Sequence, residues 1–438
     1  MIVERAEEIL TRTSMGHQNV AIVGFLKRLN SQVEAGVVGG AEVLKEITED
    51  DRDHYRTVEQ TINESLLASS TTVLSTTGAG DLQVAIDALS DGDVLEVDTD
   101  ATYDPVVIPG DVAMVIRAAS GRTPTITGQY GIGFADGARD VVISGLTIDG
   151  CSTGNVNCRG SSVGLAEDMA RVENVILHKL TISNTSNGSA VVFSPNWSSY
   201  VEPLAESQFS RRVSIVECSF LKASKDHIEG ASIVFRNCED AYVKNCRIDV
   251  DEENGRGIVM TYVKNSLIDG CEVENANGNG EGIKIDSIGG QTYLNTVMIM
   301  NNFVTNTVEG IDVDDFSKAL VINNLVTAAD DEGICVDDSG EAVVIGNTCY
   351  GCDVGIRAEA GSVADIRGNT CFGNRVNFRI QNGDELDPSN STDPAGRFVP
   401  VAPKVAFVPK TPSDWDGQVN TISDALNELA SRVKALEP

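Results

Sequence analysis

The residues best suited to chemistry are carboxylates that return at regular intervals beside a few cations. Five short segments, GIVM (257–260), GIKI (282–285), GIDV (310–313), GICV (333–336) and GIRA (355–358), alternate their side chains as a strand does. Their third position reads Val259, Lys284, Asp312, Cys335 and Arg357, with Arg379 one copy on; the turn that follows adds Asp286, then Asp314 and Asp315, then Asp337 and Asp338, then Glu359. Stacking such segments brings carboxylates close together, where they could hold Ca²⁺ through oxygen ligands or force one carboxyl to keep its proton for acid/base work. A pair of carboxylates could equally hydrolyse a glycosidic bond, their separation deciding retention or inversion. A solvated acidic edge would have the same composition. Asp226 and His227, in KASKDHIEG, form the other titratable constellation, since His titrates near neutrality, although such a pair in a turn is more often structural. Trp197 and Tyr200, in SPNWSSYVEP, stand out in a chain only 5% aromatic and either stack on sugar rings or pin their loop.

These residues are positioned by a repeat. GNTCYG at 346–351 returns as GNTCFG at 368–373. Aligned on that Asn, a frame extends back through the chain. Its first apolar position holds Ile143, Leu177, Ile215, Val243, Ile268, Ile299, Val321, Val344 and Ile366. The middle position holds Leu146, Leu180, Cys218, Cys246, Cys271, Asn302, Asn324, Asn347 and Asn369, and the last holds Ile148, Ile182, Phe220, Ile248, Val273, Val304, Val326, Cys349 and Cys371. Strands that recur with length differences confined to their connections predict a solenoid whose coils pair in parallel, roughly 4.8 Å apart.

On this frame the sequence resembles the right-handed parallel β-helix family, the pectate-lyase-like fold, over roughly residues 70–384. The resemblance implies an all-β solenoid. It leaves activity open, because the scaffold carries lyases, hydrolases, epimerases and non-enzymatic viral spikes. Polysaccharide lyases of this fold use Ca²⁺ with an Arg or Lys base. By that resemblance Asp312, Asp314 and Asp337 are candidate Ca²⁺ ligands, and Lys284, Asp312 and Arg357 are candidate catalytic groups beside Asp226 and His227. Neither the WxDH-like strand of pectate lyases nor the DPHE-type motif of alginate epimerases is present, which disfavours those activities. The start of the solenoid also fits the family: in DLQVAIDALSDGDVLEV the apolar Leu82, Val84, Ala85, Ile86 and Leu89 suit a short helix that closes the core and shields its edges.

Composition narrows the reading. The 438 residues include 65 Asp and Glu against 33 Lys and Arg, a formal net charge of -32, and only 12 of those 33 are Lys. Screening by molar salt would relieve that self-repulsion, so the composition looks adapted to high salt, unless it is an ordinary acidic surface. No basic stripe suggests nucleic-acid binding, no apolar run suggests a membrane span, and MIVERAEEILTRTS lacks the apolar core of a signal peptide. Of ten cysteines, Cys218, Cys246, Cys271, Cys349 and Cys371 occupy the inward frame as small apolar residues, and Cys151 with Cys158 is the candidate disulfide.

The ends differ from the middle. Residues 1–69 read as a helical attachment or oligomerisation region, in which Val58, Ile62 and Leu66 form an apolar stripe that needs a partner. Residues 385–417 form a Pro-rich linker, and 418–438 carry Val419, Ile422, Leu426, Leu429, Val433 and Leu436 in steps of three and four. That heptad stripe predicts a short coiled coil, read here as trimeric; one helix packing on its own domain would give the same stripe. The ending resembles the coiled coils that terminate many tailed-virus tail and fibre proteins. The leading reading is therefore a homotrimeric virion spike, tailspike or tail fibre of a tailed virus, displayed on the particle with other virion proteins and recognising a host-surface glycan or glycoprotein. The alternatives are a polysaccharide lyase or glycoside hydrolase, and a capsid decoration protein without a ligand. If the acidity serves high salt, the unfolding midpoint should rise from dilute buffer to molar KCl; equal midpoints would remove that idea.

Overall fold

The structure is a computed structural model and describes residues 49–151, 161–167, 169–185, 188–195, 204–222, 231–253, 255–277, 280–287, 296–381 and 386–392. The repeat folds as a right-handed solenoid of three parallel strand columns. Sheet one runs from Thr72–Leu74 through Arg139–Ser144 to Val363–Arg367, sheet two from Val106–Ile108 to Val376–Ile380, and sheet three, of 11 strands, from Thr102–Tyr103 to Thr370–Phe372. Each coil passes from sheet one to sheet three to sheet two. Between the coils the described strands pair in parallel, as in Val321↔Val344 and Val344↔Ile366.

All three positions of the sequence frame point into the core. The turn from sheet one to sheet three explains the GNT motif. Its first residue is left-handed, with φ of 66° at Gly346, 59° at Gly368 and 58° at Asn301, a conformation that Gly and Asn adopt most readily. The next residue then turns inward. Where it is Asn, the side chains form a ladder: Asn324 Nδ2 donates to Asn347 Oδ1 (3.0 Å) and to Ile299 O (3.0 Å), and Asn347 Nδ2 donates to Asn369 Oδ1 (3.0 Å) and to Val321 O (2.9 Å). The amides thus lie in the core with their donors paired. The ladder continues to Asn390, inside the stretch expected to be a linker.

A second column constrains the other corner. Gly282, Gly310, Gly333 and Gly355 sit where the chain enters sheet two, and a Cβ at Gly310 would lie 2.3 Å from Val326 Cγ1 and 2.4 Å from Gly333 O. Only glycine fits this narrow corner. The cysteines of the frame are buried free thiols, as expected.

Three expectations are corrected. The helix α1, Glu49–Leu67, finds its partner on its own solenoid: Val58 and Ile62 pack on Val142, Ile176, Val216 and Tyr242 of the outer face of sheet one. Its buried face runs on through Ser65 (8% exposed), whereas Leu66 is 40% exposed. In the cap helix α2, Asp81–Asp87, Leu82 and Ile86 close the core but Val84 points to solvent. Cys151 is a free thiol in the core, not half of a disulfide; Cys158 lies outside the described residues. So does the heptad stripe of Val419, Ile422, Leu426, Leu429, Val433 and Leu436.

The corner column makes a direct prediction. Gly310→Ala must displace backbone or Val326, which should cost about 1–3 kcal/mol and lower Tm. Gly80→Ala, where a Cβ would meet nothing within 4 Å, should leave Tm almost unchanged; equal shifts would show that the corner is not tight.

Candidate functional site

The expected outward column exists in register. Val259 pairs with Lys284, Lys284 with Asp312, Asp312 with Cys335, Cys335 with Arg357, and Arg357 with Arg379 along sheet two. Strand alternation sends Ile283, Ile285, Ile311 and Val313 into the core and turns the polar residues between them outward. Coil stacking then crowds those polar groups.

Asp312 lies at the centre, with its side chain only 2% exposed. Lys284 Nζ donates to Asp312 Oδ2 (2.8 Å) and Asp314 Oδ2 (2.9 Å) and pairs with Glu281 Oε1 (3.4 Å). Two coils on from Asp312, Arg357 donates to Glu332 Oε1 (2.8 Å) and pairs with Glu359. These cations leave part of the cluster unanswered. Asp312 Oδ1, Asp337 Oδ1 and Glu332 Oε2 are buried with no hydrogen-bond partner among the described residues.

The carboxylates respond by holding protons. Burial, with Lys284 opposing it, pushes Asp312 up to about 7. Burial together with the charge of Asp312 raises Asp337 and Glu309 to about 8. Lys284 shifts the other way from its burial: desolvation alone would lower it, but Asp312, Glu281 and Asp314 hold it firmly charged. A fixed ammonium beside carboxyls that exchange protons near neutrality can act as an acid/base group or coordinate a hard cation.

The structure brings together Lys284, Asp312, Asp314, Asp337 and Arg357. Among the three expected Ca²⁺ ligands, Asp312 and Asp337 group with Cys335, and Asp314, which shares Lys284 with Asp312, also groups with Asp286 and Asp315. Sequence reasoning missed Glu281, Glu309 and Glu332, which complete the cluster with Asp312 and Asp331. Their signal was a Glu immediately before the corner glycine at 281–282, 309–310 and 332–333.

Asp226, His227, Trp197 and Tyr200 lie outside the described residues. The loop bearing Trp197 and Tyr200 is anchored at both ends by one buried side chain: Asn237 Nδ2 donates to Pro195 O (3.2 Å), and Leu204 N donates to Asn237 Oδ1 (3.1 Å). A polar depression lined by Asn275, Asn306, Ala328, Asp330 and Gly351 follows sheet three and contains none of the cluster.

Residues 292–396 match a family model described as "Periplasmic copper-binding protein (NosD)". No curated protein matches the chain. Among solved structures, the chain is similar to the A-module of the mannuronan C-5 epimerase AlgE6 of Azotobacter vinelandii, at 12% identity over 73% of this chain and 96% of that one, with a TM-score of 0.44. It is also similar to an exopolygalacturonase from Thermotoga maritima (12%, 75% and 96%, TM-score 0.48) and to a tailspike protein of E. coli bacteriophage HK620 in complex with pentasaccharide (14%, 72% and 63%, TM-score 0.48). Likeness at this level concerns architecture and says nothing about residues or activity.

The cluster predicts an inverted pH dependence. Unfolded carboxyls titrate at about 4, so Asp312, Asp337 and Glu309 bind more protons in the folded protein than in the unfolded chain between about pH 4 and 8, and their contribution to stability falls as pH rises through that window. Asp337→Asn, which cannot ionise, should lose less Tm than the parent between pH 5 and pH 8. Parallel loss in both proteins would mean that Asp337 titrates like an ordinary exposed carboxyl.

Proposed function

We propose that this protein binds an extended polysaccharide along the outer face of sheet two, and that it does so as a homotrimeric spike or tail fibre of a tailed virus. The observation that carries the binding face is Asp312: a buried carboxylate with one oxygen held by Lys284 and the other unpartnered, at the centre of a carboxyl cluster. Hydroxyl groups of a sugar could donate to the more open carboxylates beside it, Asp314 and Glu359, while Lys284 and Arg357 fix their orientation. The trimer rests on the heptad stripe after the Pro-rich stretch.

A second reading, polysaccharide hydrolysis or elimination, is favoured by one specific feature. Asp312 and Asp337 offer ligand atoms within 4.8 Å of each other and hold protons near neutral pH, as an acid/base pair needs. The orphaned oxygens of Asp312 and Asp337 also fit a hard cation such as Ca²⁺, which would supply charge neutralisation there; these two carboxylates, whose ligand atoms lie close together, would hold it. Copper fits poorly. Residues 292–396 contain no His, and burial pushes the thiols of Cys335, Cys349 and Cys352 up, away from the thiolate that copper binds.

One set of measurements separates these readings. The parent and Asp312→Asn are incubated in high salt with neutral and uronate-rich polysaccharides, and bound sugar, new reducing ends and unsaturated products are followed. Saturable binding that weakens at least tenfold in Asp312→Asn, without products, is the expected result. Products that disappear in the variant would establish the enzyme, and neither binding nor products would leave an architectural virion component. Light scattering should give three times the chain mass for the full-length protein and a smaller mass for a variant ending at residue 412; a monomer in both would remove the spike.

A further inference from the structure

The glutamates that precede the corner glycines are not answered alike by the coils around them. Glu281 pairs in register with Glu309, and the pairing of Ile311 with Ile334 sets Glu309 beside Glu332. Glu281 has two cations, Arg256 and Lys284 (3.4 Å). At the far end of the row Val354 takes the place of the glutamate, and Asp353 before it accepts from Arg375 Nη2 (2.7 Å). Between those coils lie Glu309 and Asp331, and neither makes an ion pair among the described residues. The protein supplies a basic side chain on either side of them and none at this step.

Glu332 shows what is missing there. Its Oε1 accepts from Arg357 (2.8 Å), and Arg379 approaches the same oxygen (4.0 Å). Its side chain is 0% exposed, and its other oxygen, Oε2, has no hydrogen-bond partner among the described residues. With Oε1 taken by the guanidinium groups, Oε2 is the oxygen left to face Glu309 and Asp331. A buried carboxylate oxygen without a partner is costly, and two further carboxylates beside it add to that cost. Oxygens bound to one Ca²⁺ stand about 2.4 Å from it, and so no more than about 4.8 Å from each other. One ligand atom from each of Glu309, Asp331 and Glu332 meets that limit, all lying within 4.8 Å of one another. Glu309 and Asp331 are half-buried, which leaves the ion a way in and room for the waters that complete its shell. The three ligands come from two coils whose register the sheet fixes, and Ca²⁺ tolerates the resulting irregular geometry better than Mg²⁺ does.

We propose that Glu309, Asp331 and Glu332 bind one Ca²⁺ ion, which joins the coil of Glu309–Val313 to that of Glu332–Val336 where they enter sheet two. The ion is a structural staple: it supplies at this step the positive charge that Arg256 and Arg375 supply at the coils on either side. It does not depend on what the face of sheet two binds. It also differs from an ion held by Asp312 and Asp337. Glu309 comes close to Glu281 and Asp312 as well, but Asp331 and Glu332 group with neither of those.

The test uses the full chain, stripped with a chelator and titrated with CaCl₂ alone, without polysaccharide. Asp337→Asn serves as the background, because it removes a ligand of the neighbouring pair. In that variant one Ca²⁺ per chain should bind with a Kd of about 1 mM or tighter, and its addition should raise Tm. Adding Asp331→Asn, which keeps the size of a half-buried side chain, should weaken this binding at least tenfold with the β-sheet circular dichroism unchanged. In the parent, with no substitution at all, Ca²⁺ should slow amide hydrogen exchange in residues 305–313 and 328–336. Failure of Asp337→Asn to bind at about 10 mM Ca²⁺ would overturn the proposal and place any ion of the parent at Asp312 and Asp337. Equal affinity with and without Asp331→Asn, or slowed exchange confined to other segments, would overturn it too.

Discussion

Parallel hydrogen bonding between successive coils is the constraint from which the rest of this structure follows. Strands roughly 4.8 Å apart must place like positions side by side, so whatever one coil presents, its neighbours must be able to meet. Inside, the solutions are apolar columns and a ladder of amides. Asn324, Asn347 and Asn369 are tolerated in the core because each pairs with the next and with a backbone carbonyl. A single such amide without neighbours would leave buried donors unsatisfied, at about 1–3 kcal/mol each.

The same stacking acts against the protein on the outer face of sheet two. Glu281 lies directly beside Glu309, and Asp312 stands between Lys284 and Cys335. Like charges cannot be spread apart when register fixes them, so the strain is relieved chemically, by the Lys284 and Arg357 ion pairs and by protons retained on carboxyls. Retained protons and unpartnered oxygens are costly to a scaffold. Their concentration around Asp312, within a fold that satisfies its interior amides so fully, is what singles this face out.

The solenoid was legible because its constraint is periodic. Every residue of the three-position frame turns inward, and the outward column from Val259 to Arg379 aligns as its spacing implied. What escaped was not periodic, or sat just outside the chosen window. Glu281, Glu309 and Glu332 precede the glycine at which each segment was taken to begin, and only the stacked coils show that they face the same cluster as Asp312. The partner of α1 was hidden for another reason: the apolar stripe of Val58 and Ile62 announces a need for burial but does not name the surface. That surface comprises Val142, Ile176, Val216 and Tyr242, outward residues drawn from four separate coils, whose proximity exists only after folding.

Asn237 has a different kind of consequence. Because its buried amide receives the amide of Leu204 and holds the carbonyl of Pro195, the coil closes electrically and sterically before the intervening residues begin. The frame on either side is thereby closed by Asn237 alone, whatever lies between Pro195 and Leu204. Residues between Pro195 and Leu204 can therefore vary in number and type while the junction, and with it the register of the coils on either side, is kept.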